Sequence, residues 1–220
     1  MRIVAAAGQK GGIGKTTTVM NLAAVMAKGG NRVLVVDADA QRSTTWWAGN
    51  GGAELPFDFA PDVDPNNLTR LRELPYDLVF VDTPGNLEAT ATLSAVLDSA
   101  DFVILPLAPE PLAIQPLVRT VKSLVEPRGL DYRVLLNNID RRRGEGHLED
   151  WENVVDNLSL TRFRNHVRKS ASVSDAPVAG RVVTDYTDTR QNRAAIFDYN
   201  SVALELQSIW ANAPVRTGVN

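Results

Sequence analysis

Gly8-Gln9-Lys10-Gly11-Gly12-Ile13-Gly14-Lys15-Thr16-Thr17 is the stretch on which the fold turns. It follows a short apolar run, residues 3–7. It precedes residues 15–28, where Val19, Leu22, Ala23 and Met26 recur at helical spacing until Gly29-Gly30 stops the pattern. A glycine-rich turn between a strand and a helix offers backbone N–H groups with no side chain in the way. The helix adds its unpaired N-terminal N–H groups and its dipole. Both suit a phosphate. Gly11, Gly12, Ile13 and Gly14 are the expected cradle, and Lys15 is placed to reach the β- and γ-phosphates. Thr16 offers a hydroxyl to Mg²⁺, and Thr17 lies near the α-phosphate.

Outward from this loop, apolar runs at residues 32–37, 78–82, 102–106 and 133–137 alternate with longer helical patterns. Each run is nearly continuous in Val, Ile, Leu and Phe, as strands covered on both faces require. The expected architecture is α/β: a mostly parallel twisted sheet with helices on both faces, in one domain spanning residues 1–220. Further helices are expected at residues 85–100, 113–125, 148–158 and 194–210. Residues 49–75 read as a connection with one short helix, 141–146 as a basic mobile loop, and 213–220 as a frayed tail.

Composition sets the limits. The 220 residues carry a net charge of −3, 44% hydrophobic residues, no cysteine and two histidines, His147 and His166. Disulfide scaffolds, thiolate metal sites and cysteine nucleophiles are excluded, and a histidine-rich metal site is disfavoured. No apolar run reaches the roughly 18 residues of a membrane span, so a cytoplasmic location is expected. From Leu160 to Arg193 there are seven basic and three acidic residues, a local +4 that leaves −7 on the remainder. Such a split suits a face that binds duplex phosphates without reading bases, and it equally suits a solvated charged surface.

Asp82 ends the apolar run Leu78-Val79-Phe80-Val81, where a carboxylate beside the phosphate loop can hold Mg²⁺. Val35-Val36-Asp37-Ala38-Asp39-Ala40-Gln41 ends the second strand with two more carboxylates. Asn137-Asn138-Ile139-Asp140 superficially matches a guanine-reading motif, but Asn138 stands where the lysine should lie along the base. Asn137 is a candidate for the edge of a nucleotide base, which the resemblance drawn below implies to be adenine, or simply a strand-end asparagine.

A strict phosphate-loop pattern wants glycine at position 9, and this chain has Gln9 followed by a second lysine, Lys10. The run Lys10–Thr17, KGGIGKTT, resembles the signature of the deviant Walker A ATPases, and within them the ParA-type partition ATPases. The resemblance implies the P-loop NTPase fold and a slow, Mg²⁺-dependent hydrolysis of ATP. It also implies a homodimer that closes over ATP, with Lys10 reaching the partner's nucleotide in the manner of an arginine finger. Asp39 would position the attacking water, and Asp37 would support the Mg²⁺ shell.

Residues 164–168 and 174–177, and the run 186–195, resemble C-terminal segments of the same family. They imply nonspecific double-stranded DNA contacts through Arg164, Arg168, Arg190 and Arg193, with Arg141-Arg142-Arg143 as an additional candidate. The implied cycle ends when a ParB-like cargo adaptor stimulates hydrolysis and release near the nucleoid. Two departures stand out: Ala40 and Gly85 replace the family's usual prolines. The start of the chain resembles the small form without an N-terminal helix-turn-helix domain. The alternatives are a positioning ATPase for a non-DNA cargo such as a protein compartment, a MinD-like membrane protein, or a metabolic relative. The second is weakened by the lack of a basic amphipathic C-terminal helix.

Overall fold

A computed structural model of the chain describes residues 1–51, 54–85 and 90–212. Six strands form one sheet in the order β3-β2-β4-β1-β5-β6. They are β1 (Arg2–Ala6), β2 (Val33–Asp37), β3 (Asp58–Pro61), β4 (Leu78–Asp82), β5 (Phe102–Leu107) and β6 (Asp131–Leu136), and every pairing is parallel. Parallel strands need crossover connections. These are supplied by α1 (Lys15–Lys28), α2 (Ser43–Gly49), α3 (Pro65–Leu68), α4 (Thr90–Ser99) and α5 (Ile114–Thr120). After β6 come α6 (Gly146–Asn157), α7 (Ala171–Asp175) and the closing α8 (Arg193–Ala211).

Alternation along each strand divides the core in two. Ile3, Ala5, Val79, Val81, Val103 and Leu105 face one layer with Leu93, Val96, Leu117, Trp151 and Val155. Val4, Ala6, Leu78, Phe80, Phe102 and Ile104 face the other, with Leu22, Met26, Trp47, Tyr199 and Val202. Helices thus cover both faces, and the apolar strand runs quoted above reflect this two-sided burial. No helix among the described residues is long and apolar enough to cross a membrane.

Where the chain differs from the sequence expectation, the cause is local. β3 was hidden in the stretch read as a connection. It is an edge strand pairing only with β2, so two of its four residues are exposed and it can end in Pro61. The seven-residue helix α2 follows Arg42, a left-handed residue (φ 58°), and has no side-chain cap to announce it. What holds it is Trp47, fully buried, whose Nε1 donates to the Arg181 carbonyl at 2.9 Å. The helix expected at 113–125 is α5 extended by a wider π turn, Val121–Val125. The basic loop contains a single tight turn at Arg141–Arg143, begun by the Asp140 side chain accepting from the Arg142 N–H. The tail at 213–220 lies outside the described residues, as do residues 86–89 of the helix expected from 85.

Asp101 ties the entry of the central strand to its surroundings. Its Oδ2 accepts from the Ile3 N–H at 2.8 Å and its Oδ1 from Arg72 at 3.0 Å, with the carboxylate almost fully buried. Asp101→Ala leaves the buried Ile3 N–H without its partner and the Arg72 guanidinium with only the Ser99 carbonyl, to which it donates at 2.9 Å. A loss of about 3 kcal/mol in urea denaturation is expected; a loss below about 0.5 kcal/mol would contradict this role.

Candidate nucleotide site

Sheet register brings the site together. β1 lies between β4 and β5, and Ala6 and Asp37 both register with Asp82. The carboxyl ends of β1, β2 and β4 therefore meet at one crevice, where ligands of open parallel sheets bind. The loop from Gly8 to Gly14 rises from the end of β1 over this crevice and delivers Lys15 as the first residue of α1.

The loop is shaped from below. Gly14 adopts φ 94°, and a side chain there would meet the Asn137 amide nitrogen at 2.0 Å. That nitrogen donates to the Ile13 carbonyl at 3.0 Å, so Asn137, buried at the end of β6, braces the phosphate loop itself. Gly85 is similarly confined, since a Cβ there would lie 3.0 Å from the Lys15 ammonium.

Lys15 is buried at the crevice floor. Burial pushes its ammonium below the usual lysine value, opposed by attraction to Asp82 and then Asp39. Asp82 is 1% exposed. Burial raises its carboxyl to about 6, against the pull of hydrogen bonds from Thr16 and Thr44. Both hydroxyls donate to Asp82 Oδ2 at 2.6 Å. Asp82 Oδ1 is buried without a hydrogen-bond partner among the described residues.

Asp37, with no exposure, is fully engaged within the chain. Its Oδ2 accepts from Thr45 Oγ1 at 2.6 Å and from the Thr45 N–H at 2.8 Å, and its Oδ1 accepts from the Asp39 N–H at 3.2 Å. Asp37 thus shapes the segment that carries Asp39. Asp39 is only partly buried, and its Oδ1 accepts from the Gln41 N–H at 3.0 Å. Sequence reasoning missed Thr44 and Thr45. The available signal was two adjacent hydroxyls just past the Asp-x-Asp segment, but it required knowing that α2 folds back onto the strand ends.

The residues present fit Mg²⁺. The orphaned Asp82 oxygen beside the Thr16 hydroxyl is a hard oxygen pair, and no cage of three or more His, Cys, Asp or Glu exists among the described residues. One carboxylate and one hydroxyl suit an ion that arrives with nucleotide phosphates and keeps water in its shell. Lys10 pairs with Glu110.

The arginines assigned to DNA by resemblance have different surroundings. Arg168 is clamped by Asp198, Nε to Oδ2 at 2.9 Å, and also donates to the Ala194 carbonyl at 3.1 Å. Arg193 pairs with Asp188 at 2.8 Å on the surface. Arg164 and Arg190 are exposed, and neither guanidinium has an ion-pair partner among the described residues. The local charge excess is also reduced in space, because Arg162 is held by Glu152 and Asp156 from α6.

Residues 4–183 match the family described as the CobQ/CobB/MinD/ParA nucleotide binding domain. The chain is 40% identical over 210 residues to the maintenance of carboxysome distribution protein A of Gloeobacter kilaueensis, covering 95% of each. It is 31% identical over 225 residues to the chromosome-partitioning ATPase Soj of Thermus thermophilus, covering 86% of this chain and 90% of that one. Among solved structures, the MinC:MinD cell division protein complex of Aquifex aeolicus matches with a TM-score of 0.75 at 19% identity, covering 99% of each chain.

Burying an ionised Asp82 without its cation is unfavourable, and the direction of the pH effect follows. Its pKa is raised on folding, so the folded chain binds the proton more tightly, and stability falls as pH rises from about 4 to 6. In nucleotide-free, Mg²⁺-free protein, Asp82→Asn should gain about 1–2 kcal/mol at pH 7.5. That gain should shrink toward zero near pH 4 in urea denaturation; a loss of stability at pH 7.5 would contradict the assignment.

Proposed function

The chain belongs to the CobQ/CobB/MinD/ParA nucleotide-binding family and is a ParA-type ATPase, and on that premise we propose that it hydrolyses ATP with Mg²⁺ and positions a cargo through an ATP-gated homodimer on DNA. The observation that carries the cargo reading is the 40% identity, across 95% of both chains, to a carboxysome-distribution protein. A protein compartment is accordingly the favoured cargo. The second reading is segregation of a plasmid or chromosome with a ParB-like adaptor, supported by the 31% identity to a chromosome-partitioning ATPase.

Within this reading, Gly11, Gly12, Ile13 and Gly14 cradle the phosphates through backbone N–H groups, Thr17 contacts the α-phosphate, and Lys15 neutralises charge at the transferred phosphoryl group. Thr16 and Asp82 are the residues that would hold Mg²⁺, which supplies further neutralisation of phosphate charge when bound. Asp37 fixes the backbone of the Asp39 segment, and Asp39 orients the attacking water. Asn137 keeps the loop in shape while bordering the base. The catalytic set is completed by Lys10 of the partner subunit, so a lone chain turns over slowly.

On the DNA side, Arg164 and Arg190 are two of the exposed arginines without an ion-pair partner among the described residues, and Arg193 can exchange its exposed Asp188 partner for a phosphate. Arg168 is better suited to holding the segment against α8 through Asp198. Association with the nucleoid follows from sequence-blind duplex binding, and release follows when an adaptor on the cargo stimulates hydrolysis.

Lys15→Ala should abolish ATP binding in calorimetry; tight binding by that variant would remove the phosphate-loop assignment. Asp39→Ala should bind ATP normally yet hydrolyse it about 100-fold more slowly in single-turnover assays; normal turnover would remove Asp39 from the mechanism. Binding to random-sequence duplex should need ATP and weaken steeply with salt. Arg164→Ala and Arg190→Ala should each lower the slope of log K against log salt by about 1. Absence of DNA binding in every nucleotide state would overturn the DNA-based reading. Purified cargo should raise ATP hydrolysis only in the presence of its adaptor.

A further inference from the structure

Lys10 is not loose in this chain. Its ammonium is paired with the carboxylate of Glu110, a contact spanning 100 residues of sequence. The two meet because β5 is the neighbour of β1, so the loops leaving their carboxyl ends emerge side by side. Glu110 is also held unusually well for a loop residue. Its N–H donates to the Ala108 carbonyl at 2.7 Å, and its carbonyl accepts from the Ala113 N–H at 2.9 Å. Pro111 follows and confines Glu110 to extended backbone, here φ −131° and ψ 122°. The backbone that carries this carboxylate is thus held in place beside the phosphate loop, within reach of a flexible lysine.

We propose that Glu110 is a positioning residue for Lys10: it parks the lysine within its own protomer and must release it when the dimer closes. The inference rests on the proposed reach of Lys10 to the partner's nucleotide. The ammonium cannot satisfy Glu110 and the partner's phosphates together, so dimer formation exchanges one anionic partner for another. Twofold closure breaks two such pairs, one per protomer. The pair is partly exposed, with the lysine side chain 27% and the glutamate 59% accessible. Each parked lysine therefore weakens the dimer by a modest factor, up to about five, and two together by up to about 25-fold. Such a contact sets the ATP and protein concentrations at which the site is completed without touching nucleotide itself.

The test is sedimentation equilibrium of the full chain with Mg²⁺ and a non-hydrolysable ATP analogue, for wild type, Glu110→Gln, Lys10→Ala and the double variant. Glutamine keeps the shape of the exposed side chain and removes its charge. Glu110→Gln is expected to lower the dimer Kd about 3- to 25-fold, and the effect is expected to vanish in the Lys10→Ala background. An unchanged or weaker Glu110→Gln dimer overturns the proposal, as does tightening that persists without Lys10. Lys10→Ala that both dimerises and hydrolyses ATP like wild type overturns it through its premise, so the two failures are told apart.

Discussion

Asp37 and Asp82 face each other at the ends of adjacent parallel strands, both almost without solvent. Two carboxylates so placed are expensive to desolvate, by several kcal/mol each, unless donors surround them. The surrounding structure supplies those donors. The first turn of α1 brings Lys15 and Thr16, and α2 brings Thr44 and Thr45. The left-handed bend at Arg42 is what turns α2 back toward the strand ends. One oxygen, Asp82 Oδ1, is left without a partner among the described residues. Among the described residues the chain does not finish compensating this charge, and on the proposed reading Mg²⁺ arriving with nucleotide would do so.

The groups that surround these carboxylates are themselves tied to the C-terminal part of the chain. Thr44 and Thr45 connect Asp82 and Asp37 to α2, whose Trp47 is anchored on the Arg181 carbonyl. Asn21, inside α1, receives the Val183 N–H at 2.7 Å and donates to the Thr17 carbonyl at 2.8 Å. The nucleotide helix is thereby tied to the segment preceding α8. These contacts form one packed layer between the phosphate loop and the C-terminal region that carries Arg190 and Arg193.

Much of this was legible in the sequence where local chemistry and position coincide. The phosphate loop and Asp82 sit at strand ends that read as uninterrupted apolar runs, because both faces of the central strands are covered. The edge strand β3 escaped because an edge does not impose that pattern, and α2 escaped because it is short and uncapped. Thr44 and Thr45 were illegible for a different reason: their role depends on a tertiary fold-back, with no periodic signal in the chain. Arg168 shows the same limit in reverse. Counted along the sequence it belongs to a basic stretch, but in space the carboxylate of Asp198, thirty residues later, occupies its guanidinium. Charge read along a chain predicts a surface only where no acidic partner folds back onto it.

The most direct test of the central claim is calorimetric titration of ATP into the protein with Mg²⁺ and, separately, with a chelator. If the buried Asp82 and Thr16 pair is the waiting half of a metal–nucleotide site, binding with Mg²⁺ should be at least about tenfold tighter than without it. Equal affinity in both conditions, or no binding in either, would contradict the account.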